Sequence, residues 1–281
     1  MERIDGMEER WKKTDGEKYG IMCNNLRQYI AAKETRTYNW KDEQYGDCCE
    51  RNQNITFISI SACVLVNIIF WRCKILEPFK LLTVFLHEFS HASACWLTGG
   101  RVKGIEVNRN HGGCTNTVGG NRFLILPAGY IGSCFYGMFF ILMAYISKWT
   151  LLTSAAFLCF LLLVVLIFYA NNIFLRTLCI LFLAATISVW VLCELFKEDV
   201  KYWPLKIIMT FIGVLNEMYS IVDIFEDLIT RSTPESDAYK YAELTKCNSK
   251  FCGVLWFLVN FFFIFLTVYL IGTIHVKQFD N

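Results

Sequence analysis

The sequence predicts an all-α polytopic membrane protein with about six to seven transmembrane helices and a small β-hairpin after the helix that carries His87, Glu88 and His91. Three observations predict it. Of the 281 residues, 55% are apolar and only 19% charged, against roughly 45–50% and 25% in soluble domains. The charges are gathered at one end, with ten Lys/Arg and eleven Asp/Glu within residues 1–54. Behind that arm come apolar runs of about 20 residues or more, the length that crosses about 30 Å of hydrocarbon. The organisation read from this is a polar charged arm over 1–54, a transmembrane body over 55–276 and a short tail over 277–281. With a net charge of +2 there is no global basic field to recruit nucleic acid.

Seven runs qualify as spans. The first, 52–71, is uncharged and ends at Arg72, Lys74, Glu77 and Pro78. The second, 79–97, is interrupted by His87, Glu88 and His91. The runs 123–147 and 149–175 follow, and Asn171, Asn172 and Arg176 mark the next break. The fifth is 176–196, the sixth, 204–229, carries acids, and the seventh, 251–274, is rich in aromatics. The runs are continuous rather than alternating, which selects helices over a lipid-facing barrel. Between Gly99 and Gly120 the chain turns polar and Gly-rich. Ile105 and Val107 alternate with polar neighbours, turn residues follow, and then Cys114–Val118, which reads as a β-hairpin. Lys/Arg counts around the spans place the amino terminus on the cytoplasmic side.

Thirteen cysteines do not make a disulfide framework. Cys63, Cys95, Cys134, Cys159, Cys179 and Cys193 stand singly in apolar runs, where a thiol packs as a small hydrophobe. Without a Cys-x-x-Cys pair, a thiolate zinc site is not expected.

The segment around His87-Glu88-Phe89-Ser90-His91 carries the chemistry. Residues i and i+4 share one helical face, so both imidazoles can ligate one Zn²⁺. Glu88 between them is placed as a general base for an attacking water. The competing reading is polar glue between helices. Three ionisable groups within five residues of a span cost at least about 2–3 kcal/mol each on insertion scales, and a metal offsets that cost. A hydrolytic zinc site takes three protein ligands. His111 in the hairpin turn and His275 at the last helix end are poorly placed for depth. On the sixth span Asn216, Ser220, Asp223 and Asp227 form one polar stripe. Asp223 lies about six residues inside the expected helix end, as His91 does, so depth favours Asp223 over Asp227 as third ligand.

HEFSH, then TGGRV, GGCT and PAGYIGS, resemble the site-2 protease class of intramembrane metallopeptidases, closest to the B-like branch of peptidase family fifty. A second block, Ser220-x-x-Asp223-Ile224, Asp227, Arg231 and Ser236-Asp237-Ala238, is similar to the same branch. The Asn-Pro-Asp-Gly or Leu-Asp-Gly motif of the wider class is absent from this body. The resemblance implies a zinc peptidase that cleaves a membrane-protein substrate, a single-span helix, within the bilayer. Such a substrate must unwind locally, and the hairpin could pair with the extended strand. The small residues of Ala128–Ser133 suit close helix packing and read as scaffold. Two other readings stand beside this one. A prenyl-protein type of protease would draw on Glu194 or Glu217. A catalytically inactive relative would bind or retain membrane clients, and the intact Glu88 argues against it.

Overall fold

The computed structural model describes residues 51–109, 112–195, 202–226 and 236–273. Of the expected arm, only 51–54 fall within them, and they open the first helix. The tail, His111, Asp227, Arg231 and His275 lie outside the described residues.

The body is an all-α bundle with one hairpin. Its elements are α1 (Arg51–Phe70), a 3₁₀ turn (Lys74–Leu76), α2 (Glu77–Leu97), β1 (Arg101–Val107), β2 (Gly113–Val118), α3 (Arg122–Ile146), α4 (Lys148–Val164), α5 (Ile173–Cys193), α6 (Trp203–Phe225), α7 (Asp237–Thr245) and α8 (Ser249–Thr273). Among the described residues, five helices are long and apolar enough to cross a membrane: α3, α4 with its continuation to Tyr169, α5, α6 and α8. Helices α1 and α2, of 20 and 21 residues, have spanning length as well. The chain is a multi-pass membrane protein.

Local chemistry sets the boundaries. Pro78 stands in the first turn of α2, where its missing N–H costs nothing. Gly99, at φ +78°, ends the helix in the left-handed conformation that glycine adopts without strain. Asn121 caps α3 by accepting from the Phe123 N–H. Ser147 and Thr150 form a capping box at α4, so α3 and α4 are joined by a single residue.

The fourth and fifth spans divide earlier than the sequence suggests. Helix α4 passes into a π-helical turn, Val165–Tyr169, and α5 starts at Ile173 because the Asn172 side chain accepts from the Leu175 N–H. Arg176 therefore lies inside α5, its Nε donating to the Ala170 carbonyl at 3.1 Å. The irregular backbone between α4 and α5 is paired to β1. Ala170 bridges Ile105 in parallel, the Asn171 N–H donates to the Ile105 carbonyl at 3.0 Å, and Asn172 Nδ2 donates to the Val107 carbonyl at 2.7 Å. Non-helical backbone at membrane depth persists only where it is satisfied in this way. A side chain on Gly104 would overlap Asn171.

Helix α3 lies at the centre, against α2, α6 and α8. Where it crosses α6, a Cβ on Gly137 would stand 2.8 Å from the Gly213 carbonyl, and one on Gly213 would stand 2.7 Å from the Gly137 carbonyl. Two glycines therefore let the backbones touch. Two residues of the polar stripe on α6, Asn216 and Ser220, are hydrogen-bonded within the bundle. Asn216 donates to the Ile212 carbonyl at 2.8 Å. Ser220 donates to the Tyr130 carbonyl at 2.9 Å and accepts from Asn260 at 2.7 Å. Asp223 lies near the end of the described part of α6, which runs to Phe225; the expected span end at 229 lies outside the described residues.

Candidate metal centre

Helix α2 puts His87 and His91 one turn apart on one face, with ring centroids 4.8 Å apart. They are 7% and 6% exposed, and Glu88 is 6% exposed. Each imidazole is held from behind. His91 Nδ1 donates to the Ile125 carbonyl at 2.6 Å, which fixes the tautomer and leaves Nε2 as its electron-pair donor. That carbonyl lies in the first turns of α3, near Pro127, a residue that withholds one intrahelical hydrogen bond. The His87 ring stands edge-on to Tyr130 at 4.9 Å. Tyr130 meets Trp256 of α8 at 5.3 Å, and Trp256 meets Tyr241 of α7 at 5.2 Å.

The third group comes from α7. Asp237 Oδ2 lies 3.1 Å from His87 Nε2 and 2.8 Å from His91 Nε2. Ligand atoms of a tetrahedral zinc with arms of 2.0–2.1 Å stand about 3.3 Å apart, so the three atoms are spaced for one ion. Asp223, expected from the sequence as third ligand, stands elsewhere. Its Oδ2 is 3.9 Å from His87 Nδ1, on the opposite side of the ring from the Nε2 that faces Asp237. Among the described residues, His87, His91 and Asp237 form the group able to hold a metal. Glu217 instead accepts from Thr267 at 2.6 Å, and Glu194 accepts from the Tyr202 hydroxyl at 2.9 Å. Burial works against charge on Asp237, yet the His91 and His87 imidazoles and their hydrogen bonds hold its carboxyl well below the usual carboxylate range.

Gly129 of α3 supplies the space. A Cβ on it would overlap His87 Nε2 and stand 2.5 Å from His91 Nε2, in the volume that a Zn–N bond of about 2.0–2.1 Å requires. The donor set, two imidazole nitrogens and a carboxylate oxygen with no side chain at position 129 to crowd them, fits zinc. Gly129→Ala is therefore expected to cost most of the bound zinc in a protein that still folds. Metal analysis at equal folded yield checks it, and full zinc content in the variant would show that the ion sits elsewhere.

The sequence reading treats Ala128–Ser133 as scaffold. Gly132 abuts Ser90, and Gly129 packs directly against the Nε2 atoms of His87 and His91. Asp237 is visible in the sequence only as part of the second resembling block. Its local signal is Ser236, whose side chain accepts from the Tyr239 N–H and so starts α7 with Asp237 in its first turn.

Glu88 faces the hairpin. Thr115 of β2 donates to Glu88 Oε2 at 2.7 Å and lies 2.9 Å from the Glu88 carbonyl. A Cβ on Gly113, also in β2, would overlap Glu88 Oε1.

Two buried imidazoles and a half-buried carboxylate, inside a bundle of apolar helices, mark a polytopic membrane protein with a candidate metal centre. The Peptidase M50B-like family matches residues 60–267, and the chain belongs to that family. The match runs from α1 to α8 and includes every residue of the centre. Comparison with curated proteins and with solved structures gives no match.

Proposed function

We propose that the protein is an intramembrane zinc endopeptidase that hydrolyses a peptide bond of a membrane-protein substrate in or near the bilayer. The observation that carries this reading is the convergence of His87 Nε2, His91 Nε2 and Asp237 Oδ2, with Glu88 next to His87 on the same helix.

His87, His91 and Asp237 would hold the ion. Bound there, Zn²⁺ supplies a Lewis acid that polarises the scissile carbonyl and acidifies water. Glu88 accepts the proton of the attacking water and returns it to the leaving amine nitrogen. The Ile125 carbonyl orients His91, and the Asp223 carboxylate beside Nδ1 favours the Nε2-coordinating form of His87.

The substrate is a single-span helix that unwinds at the cleavage point, and β2 supports its capture. Because the Ile105 carbonyl bonds outward to Asn171, its pairing with Thr115 is of the non-hydrogen-bonded kind. The Thr115 N–H and carbonyl therefore face the open edge of the sheet, where an extended segment can add as a third strand.

The test is metal analysis of the purified full-length chain, with cleavage of a co-reconstituted single-span substrate followed in parallel. About one Zn²⁺ per chain is expected, and its loss in the His87→Ala/His91→Ala double variant. Undiminished zinc in that double variant would sink the metal reading. Zinc without cleavage of any single-span substrate tried would favour a client-retaining protein that keeps the fold.

A further inference from the structure

Glu88 can act as a base only if its carboxylate is aimed. A Glu side chain has three rotatable bonds, and a base must point within hydrogen-bond reach of its proton. Helix α2 fixes only the Glu88 backbone. The carboxylate is held by residues of a different element.

Gly113 and Thr115 are two apart on β2, so they share one face of the strand, and both meet Glu88. The Thr115 hydroxyl has one proton, and the shorter of its two contacts, 2.7 Å, is to Oε2, the charge-assisted partner. Oε1 occupies the space where a Gly113 side chain would be. The carboxylate is thus gripped through one oxygen, and the other is accommodated where the strand has no side chain.

The strand that grips it is itself fixed. β1 registers β2 from Val107↔Gly113 to Arg101↔Val118. On its other edge β1 is sewn to the break between α4 and α5 by Asn171 and Asn172. Ile105 and Val107 are fully buried, so β1 cannot slide without exposing the core face of the hairpin.

We propose that Thr115 is a positioning residue for Glu88, and that the hairpin, anchored at the α4–α5 break, sets the orientation of the base. The proposal rests on Glu88 acting at a zinc centre. It also joins two tasks in one residue, because the backbone of Thr115 lies on the edge offered to the substrate while its side chain holds the base.

The experiment is chosen to work without a known substrate. A hydroxamate chelates zinc and donates a hydrogen bond to the neighbouring base, so its affinity reports the aim of Glu88. The full-length chain is purified in detergent as wild type, Thr115→Val, Thr115→Ser, Thr115→Ala, Glu88→Gln and the Thr115→Val/Glu88→Gln double variant. Zinc content and acetohydroxamate affinity are measured for each. Thr115→Val is expected to keep its zinc and bind hydroxamate about tenfold more weakly, the scale of one lost hydrogen bond to a charged group. Thr115→Ala should behave like Thr115→Val, and Thr115→Ser should restore binding to near wild type. In the Glu88→Gln background, Thr115→Val should cost little further, because both changes act through one carboxylate. Unchanged affinity in Thr115→Val and Thr115→Ala, or an equal loss with and without Glu88, would overturn the proposal alone. A wild-type chain that holds no zinc would overturn the zinc reading and the proposal together.

Discussion

Glu88→Gln is expected to keep zinc and fold while cleavage falls by a factor of about 10² to 10⁴, the usual yield of a positioned general base. The side chain is nearly isosteric with Glu. Its amide oxygen can still accept from the Thr115 hydroxyl that now bonds Oε2, so the hairpin contact survives. What disappears is the capacity to take a proton from water and hand it to the amine. Neither His87 nor His91 can substitute, because each is committed. His91 Nδ1 donates to the Ile125 carbonyl, and the Nε2 atoms of both face Asp237. The measurement is cleavage of a co-reconstituted single-span substrate by the two forms at matched zinc content. Equal cleavage would remove Glu88 from the chemistry.

The second large effect separates two aspartates. Asp237→Ala is expected to lose most of the bound zinc, since it removes the oxygen that stands 2.8 Å from His91 Nε2 and 3.1 Å from His87 Nε2. Asp223→Ala should retain more of it. Its carboxylate lies 3.9 Å from Nδ1 of His87, and groups behind a ligand typically shift affinity by about 10–100-fold without abolishing the site. Zinc titration of both variants at equal folded yield gives the ranking. If Asp223→Ala proves the more damaging, the third ligand is Asp223, as depth along the sixth span suggests. The structure adds a physical reason for the first order. Asp237 is carried by a nine-residue helix docked through Ala238 and Tyr241 against Tyr130 and Trp256, whereas Asp223 rides on the long helix α6.

Much of this was legible in the residues. Long apolar runs require helices, because backbone groups in lipid have no water to bond. The Gly-rich polar stretch after α2 requires something else, and it is the hairpin. His87 and His91 are four apart, so one helix alone brings their rings together. Other parts follow no periodic rule. The α4–α5 boundary was displaced because an Asn172 cap and a π-helical turn outrank the position of a charge. On the α6 stripe, Ser220 joins helices, Asn216 bonds back to its own helix and Asp223 stands behind His87, since a buried polar side chain reads alike in the sequence whatever its role.

The sequence by itself determined the class of fold, the pair of imidazoles and the carboxylate between them. All three depend on one helix and on spacings of one or four residues. Only the tertiary structure decided that Asp237 stands beside the two imidazoles, that Gly129 lies against their Nε2 atoms and that Thr115 bonds the Glu88 carboxylate. Those three residues sit on α7, α3 and β2, and they meet α2 across 150, 42 and 27 residues of chain from His87 or Glu88. Contacts of that separation are fixed by how helices pack and how a hairpin docks, and no local period records them.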